Sequence, residues 1–313
     1  MSVSAPSRPV TSVTVTYHSA RTIGRTLAAA RRCHDAHLLD VVVVDNNSAD
    51  ATREILSREA HWARLMLSER NNGFARGCNL GFRQVTSPYT IFINPDAVLE
   101  PDALRAMLQF MEQHPKAGIV GPATLCGDDD AHAVPQHAGR YATPWTVLRN
   151  ELPLLSPPSI SWAVVPGGLP ARADWVCGAV LMIRTDLLRR LGGFDPRFFL
   201  YWEEIDLCKR VEQAGFETWT LGAALARHVV GASSSAANPR VGMSIAKHYF
   251  QSRYYYMAKH HGRLAATAAE LGEFALLGLR SLADWARGRG LERLRPRRQA
   301  TLLSTPERVA DER

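Results

Sequence analysis

The sequence predicts an α/β protein built on a single doubly wound, mostly parallel sheet flanked by helices, with a helical extension on the C-terminal side. Three observations carry this. β-Branched runs alternate with amphipathic stretches through the first third of the chain. The run Leu38–Val44 is almost wholly apolar, the composition of a parallel strand covered on both faces. A short run, Thr90–Ile93, stops abruptly at Asn94-Pro95. Pro95 has no N–H to continue a central ladder and biases Asn94 towards extended backbone.

In chain order, Val10–Tyr17 alternates β-branched residues and reads as a first strand, followed by a helix from Ile23 to about His34. The Leu38 strand runs into Asp45-Asn46-Asn47-Ser48-Ala49-Asp50, a cluster of turn and N-cap residues, and a helix over Thr52–Ala60. A strand at Ala63–Ser68, a helix at Ala75–Gln84 and the Thr90 strand complete the alternation. Leu125–Ala173 is rich in Pro, Gly and His with little periodicity and reads as a mobile loop or irregular subdomain. Order returns with a strand over Asp174–Ile183 and a helix over Thr185–Leu191 that ends at Gly192-Gly193.

Composition narrows the class. The 313 residues suffice for one large α/β domain with a tail or for two smaller units. Five scattered cysteines without a C-x-x-C pair indicate neither a disulfide framework nor a zinc ribbon, and point to a reducing, cytoplasmic setting. Residues 1–9 are polar, with two prolines and no apolar signal core, and are expected to be disordered. No apolar run is long enough to span a bilayer. The formal charge of +7 is concentrated at the end: from Arg287 onward there are eight arginines against four acids. That stretch suits a solvated tail, nucleic acid or an anionic membrane surface.

Four acidic positions and a histidine carry the chemistry. Asp96 sits just past the carboxyl end of a core strand, the edge where open α/β sheets bind ligands. A carboxylate there could hold a divalent cation that in turn holds phosphate; it would equally suit a local Asx turn. Asp45 ends another strand, where a carboxylate could accept the ring N–H of a pyrimidine or cap a helix. If a helix starts at Glu203, Ile205, Leu207, Cys208, Val211 and Ala214 form its apolar face, with Glu204 near the middle. Glu203 then falls at the boundary, and Asp206, Lys209 and Gln213 fall opposite. An inward carboxylate must be paired, liganded or raised in pKa, and a raised pKa suits a general base. Surface pairs Glu203–Arg210 or Glu204–Lys209 are the plainer alternative. His228 follows an apolar run and could join a carboxylate on Mg or Mn, with Gly231 and Ser233 leaving room and donors for phosphates.

The order of these motifs resembles the family 2 inverting glycosyltransferases of GT-A fold, and within them the rhamnosyltransferase-like branch. The matching pieces are Val43–Asp50, Asn71-Asn72-Gly73 through Gly81, Asn94-Pro95-Asp96, Trp175–Ala179, Gly192-Gly193-Phe194-Asp195, Phe199–Arg210 and His228–Gly231. They cover about residues 10–262. The resemblance implies that 10–262 is the GT-A domain, with 10–124 holding the nucleotide-sugar and 174–262 the acceptor and catalytic groups. Residues 263–290 follow as an amphipathic helical extension and 291–313 as a basic tail.

The resemblance also implies roles. Thr16, Tyr17, Asp45, Asn71, Gly73, Asn79 and Asn94 would line the donor side, with Asp45 reading the base. Gly178, Ala179 and Trp202 would line the acceptor side. Asp96 is the surviving acid of the family's Asp-x-Asp, Asn94 replacing the first, and His228 would be the second metal ligand. Glu204 stands where the family has the aspartate of a Glu-Asp pair and would be the base, with Glu203 as its alternative. The implied reaction is a single displacement from a nucleotide-sugar, dTDP-L-rhamnose by branch or a UDP-sugar, to a glycan or polyprenyl-linked acceptor. Two other readings compete: a sugar nucleotidyltransferase, disfavoured because His18-Ser19-Ala20-Arg21 is not a Gly-rich triphosphate loop, and a non-catalytic nucleic-acid or membrane module. Acids at three element ends argue against the latter, and nucleic acid is not expected as a partner. The aromatic run Tyr249–Tyr256 reads either as a membrane interface or as core.

Overall fold

The computed structural model describes residues 8–127, 133–150, 152, 161–229 and 239–288, with backbone alone over 239–246. They form two compact units: one from residues 1–140, 161–196 and 204–233, the other from 141–160, 197–203 and 234–313. The expected tail 291–313 and residues 1–7 of the expected N-terminal segment lie outside the described residues.

The first unit is built on one sheet. Strands β1 (Val10–Thr16), β2 (Leu39–Asp45), β3 (Arg64–Leu67) and β4 (Tyr89–Ile93) pair in parallel in the order 3-2-1-4. Helices α1 (Ile23–Asp35), α2 (Thr52–Glu59) and α3 (Phe74–Phe82) connect them, as the alternating pattern predicts. After β5 (Ala97–Leu99) and α4 (Pro101–Gln113), β6 (Ala117–Cys126) continues the sheet. The irregular stretch supplies β7 (Val134–Pro135), β8 (His137–Gly139), α5 (Pro144–Asn150), β9 (Ser161–Ala163) and β10 (Ala171–Ala173).

Strand β11 (Val180–Arg184) is shorter than expected. Asp174–Ala179 leaves the sheet as a loop, and β11 runs antiparallel between β4 and β6. Helices α6 (Thr185–Arg190) and α7 (Glu203–Gln213) lead to β12 (Glu217–His228). β12 lies parallel to β6 and antiparallel to β5 and β10.

Helix α3 approaches the sheet closely because it carries glycine where it crosses β1. A Cβ on Gly77 would stand 2.7 Å from Val15 Cγ1, and one on Gly81 2.5 Å from Val13 Cγ1. Beneath α1 and α4, Ile91, Leu104, Met107 and Met111 are fully buried in one continuous core.

The second unit holds α5, α8 (Pro239–His261) and α9 (Arg263–Ala286). α8, expected to close the catalytic domain at residue 262, groups instead with α9. The physical reason is a buried ion cluster: Arg253 on α8 donates to Glu270 at 2.6 Å and also to Glu273, both on α9. The aromatic run divides: Tyr254, Tyr255 and Tyr256 are buried core, whereas Tyr249 at its start is 40% exposed. Gly272 lets α5 close on α9, a Cβ there standing 2.6 Å from Leu148 Cδ2.

Adding one methyl at the α3–β1 contact should therefore cost stability. Gly81→Ala is expected to destabilise the fold by about 1–3 kcal/mol, read as a lowered urea midpoint with an unchanged m-value.

Candidate functional site

Each chemically interesting side chain of the first unit stands where a strand ends. Thr16 closes β1 and Asp45 closes β2, and parallel pairing sets them in register. Thr16 Oγ1 donates to Asp45 Oδ1 at 3.0 Å. The backbone N–H of Ser48 and the Arg53 guanidinium donate to Oδ2 at 3.0 and 2.6 Å. Burial alone would raise the Asp45 pKa, but the bonds from Ser48, Arg53 and Thr16 outweigh it and hold the carboxyl below its usual range. With the Ser48 hydroxyl beside its N–H, Asp45 has four donors for about four acceptor positions and is fully buried. Tyr17, next in the chain, is 44% exposed and stacks on His18 at 4.2 Å.

Asn46, which sequence reasoning passed over, ties this loop to the next. Its amide donates to Asn71 Oδ1 at 2.9 Å and to the Gly73 carbonyl at 3.0 Å, and its own oxygen accepts the Asn72 N–H. The turn-rich string after β2 hid this role, because any of its polar residues could have capped α2. Gly73 takes a φ of 83° at the start of α3. Asn79, expected along the donor pocket, uses both ends of its amide on the Phe194 backbone at 2.8 Å and so clamps the Gly193-Phe194 turn.

Asn94 follows β4, and its N–H donates to the Ala179 carbonyl at 2.9 Å. Asp96 lies in the turn into β5 and is 8% exposed. Antiparallel pairing of β12 with β5 sets His228 opposite Ala97, so the imidazole arrives beside Asp96. His228 Nε2 is 3.0 Å from Asp96 Oδ1. Burial opposes protonation of the ring, yet the bonds to Asp96 and Cys126 and the charge of Asp96 push its pKa up to about 9.

The pair fits a divalent cation. Asp96 Oδ1 and His228 Nε2, joined here by their own hydrogen bond at 3.0 Å, are the two atoms that would turn to a cation. One carboxylate oxygen and one imidazole nitrogen suit Mn or Mg when phosphate oxygens complete the shell. Among the described residues no group of three or more His, Cys, Asp or Glu could hold a metal ion. Gly231 and Ser233, expected beside the phosphates, lie outside the described residues.

Glu204, the second residue of α7, is half-buried, and Gly178 packs on it: a Cβ at Gly178 would touch Glu204 Cβ and Cγ at 3.4 Å. Glu203 is buried. Asp206, expected on the solvent side, is also buried, because Arg210 pairs with it at 2.8 Å while donating to the Leu191 carbonyl. Ala214, expected on the apolar face, is exposed. Arg210 pairs with Asp206 at 2.8 Å, and Lys209 with Glu212 at 2.7 Å. Trp202 belongs to the second unit, buried against Tyr256 with ring centroids 5.2 Å apart. Tyr201 and Trp202 hold φ of 68° and 69°, a strained conformation for bulky residues just before α7.

Burial, and after it the charges of Glu204, Cys126 and Asp96, push the Cys177 thiol up to about 12.

The mixed sheet flanked by helices, with carboxylates at its strand ends, is a GT-A-like fold. Residues 11–162 match the family model of Glycosyl transferase family 2, and the chain carries a domain of that family. It resembles the N-acetylglucosaminyl-diphospho-decaprenol L-rhamnosyltransferase of Mycobacterium tuberculosis, at 26% identity over 80% of this chain and 84% of that one. It also resembles rhamnosyltransferase WbbL of Escherichia coli, at 26% identity over 56% of this chain and 67% of that protein. Among solved structures, mannosyltransferase PcManGT from Pyrobaculum calidifontis, with GDP-Man and Mn2+, matches with TM-score 0.52 and 18% identity. That match covers 89% of this chain and 75% of that one. Residues 1–349 of S. aureus TarS match with TM-score 0.51 and 15% identity, over 91% and 89% of the two chains. Both structural likenesses speak for the fold. The family assignment leaves the nucleotidyltransferase and non-catalytic readings without support.

The Asp45 carboxylate gives a pH test. Its folded pKa lies below the unfolded value, so its stabilisation is present above about pH 4 and is lost on acidification through the folded pKa. Asp45→Asn is expected to cost about 1–3 kcal/mol at pH 7. Its gap to wild type in thermal midpoint should shrink below about pH 4.

Proposed function

We propose that this protein is an inverting, cation-dependent rhamnosyltransferase. It moves L-rhamnose from dTDP-L-rhamnose to a hydroxyl of a polyprenyl-diphosphate-linked sugar or related cell-envelope glycan. The observation that carries the reading is the Asp96–His228 pair at 3.0 Å in the same unit as Glu204, which packs on Gly178. The relatives named rhamnosyltransferases support the choice of sugar, and the diphospho-decaprenol named in one of them supports a lipid-linked acceptor. A peripheral position on the cytoplasmic face of a membrane follows from such an acceptor.

In this reading Asp45 accepts a pyrimidine N–H in exchange for one of its present donors, the half-exposed Arg53, while Thr16 and Ser48 hold the carboxylate in place. Asn46, Asn71 and Gly73 shape the loop beside it. Asp96 and His228 hold a Mg or Mn ion, which when bound neutralises charge on the leaving diphosphate. Glu204 accepts the proton of the acceptor hydroxyl as that oxygen attacks the anomeric carbon from the face opposite the diphosphate. The bond to the diphosphate oxygen breaks, and the configuration inverts. Glu203, adjacent and more buried, is the reserve base, and Trp202 is an acceptor-side candidate.

The test is release of dTDP or UDP from a panel of nucleotide-sugars with a polyprenyl-diphosphate-GlcNAc acceptor. Turnover is expected with dTDP-L-rhamnose, and another preferred donor would replace the sugar assignment. Glu204→Gln should lower kcat by about 10²–10⁴ with donor affinity retained. Unchanged turnover would move the base to Glu203.

A further inference from the structure

Helix α9 is amphipathic with its faces exchanged. The side packed inside the second unit carries Ala266, Ala269, Glu270, Glu273 and Ser281, all buried. The side facing out carries Leu264, Leu271, Phe274, Leu282 and Trp285, with Leu264 91%, Leu282 59% and Trp285 65% exposed. At 100° per residue these five fall within an arc of about 80°. Sequence alone would turn that arc inward. The Arg253 cluster does the reverse, drawing both glutamates into the unit.

We infer that this outward apolar line is a contact surface for an anionic bilayer. The charge at its ends selects the occupant. Arg263 and Arg287 are exposed at the two ends of α9, and Lys259, His260 and His261 precede it in the last turn of α8. In sequence, Arg289, Arg293, Arg295, Arg297 and Arg298 follow against the single Glu292. Pairing two copies of α9, parallel or antiparallel, would set arginine against arginine at the ends, whereas anionic headgroups complement both ends. An apolar side with basic flanks and a tryptophan suits a helix lying in the interface plane. No helix among the described residues is long and apolar enough to cross a membrane. The inference stands on α9 and does not depend on the donor or acceptor proposed above.

The test is co-sedimentation of the full chain with phosphatidylcholine vesicles containing about one-third phosphatidylglycerol, at low and high salt. Binding is expected at low salt and should weaken on pure phosphatidylcholine. The triple variant L271Q/L282Q/W285Q should bind at least about tenfold more weakly while retaining nucleotide binding. An environment-sensitive dye on L282C should brighten with the anionic vesicles, and one on E112C in α4 should not. Indifference of the wild type to these vesicles, equal binding by the triple variant, or a wild-type dimer that the variant dissociates would each overturn the inference.

A second observation stands apart from the first. Gln136 bridges the two ends of the site: its amide nitrogen is 2.8 Å from His228 Nδ1, and its amide oxygen 2.7 Å from Cys177 Sγ. Its backbone is pinned on both sides, the N–H donating to the Thr124 carbonyl at 2.7 Å and its carbonyl accepting Val164 N–H at 3.0 Å. Cys177 precedes Gly178, which packs on Glu204, and Ala179, whose carbonyl accepts the Asn94 N–H.

The geometry points to Gln136 as the positioning residue that orients the His228 ring for a cation and ties it to the Cys177–Ala179 loop. When Nε2 gives its lone pair to a cation, Nδ1 carries the proton and needs an acceptor. The Gln136 amide turned over by 180° offers its oxygen there and its NH2 to the Cys177 sulfur, with no heavy atom displaced. Groups holding the second nitrogen of a metal-bound histidine set its affinity. This rests on reading Asp96 and His228 as the cation end.

Mn(II) titration followed by EPR of the unbound ion, with dTDP present, tests both statements separately. Asp96→Ala should abolish site binding; if it does not, the cation reading itself fails. Gln136→Leu should weaken Mn(II) binding by about 10–100-fold without shifting the metal-free thermal midpoint. Gln136→Glu, which keeps an acceptor for Nδ1–H, should restore it to within about threefold. Cys177→Ala, removing the amide's other partner, should give a smaller loss. Mn(II) affinity in Gln136→Leu within about twofold of wild type would overturn the positioning role.

Discussion

The pairing of β12 with β5 is the constraint on which the site depends. His228 opposes Ala97, and Val229 donates its backbone N–H to the Asp96 carbonyl at 2.9 Å. Side chains alternate along a strand, so a one-residue slip would carry the imidazole to the opposite face of the sheet. The register is held at the other edge of β12 by its parallel ladder with β6, where His228 opposes Cys126. A short antiparallel strand thus joins residues 132 positions apart into one pair.

The carboxylates of the site differ in surroundings more than in sequence context. Asp45 is fully buried yet ionised, because three hydroxyl or amide donors and a guanidinium replace the water it has lost. Asp96 has an imidazole. Glu204 has a glycine against its stem, which leaves the carboxyl end unobstructed by a side chain at that position.

The second unit follows another logic. Arg253 is buried against Glu270 and Glu273 between α8 and α9, held by fork-like guanidinium bonds. Removing one partner from such a cluster is costly, whereas replacing all three by apolar groups need not be. Its consequence is geometric: it fixes which side of α9 faces inward, and the leucines are left outside.

Much of the architecture was legible in the chain itself. The strands ending at Thr16, Asp45 and Ile93 and the helices between them follow from β-branched runs and periodic apolar positions, which are local properties. Asp96 was legible as a strand-end acid for the same reason. What could not be read were features made by distant partners. Asp174–Ile183 looks like one strand, but only Val180 onward finds neighbours in β4 and β6. Asp206 looks solvent-facing on a helical wheel until Arg210 and the Leu191 carbonyl close over it. Gln136 sits in an irregular, proline- and histidine-rich stretch, with no periodic signal to place it beside His228 and Cys177. The sequence by itself determined the alternating elements and the carboxylates at their ends, because hydrophobic period and turn chemistry act over a few residues. Only the tertiary structure decided which of those groups meet and which face of α9 is covered, because register and ion pairing act between segments far apart in the chain.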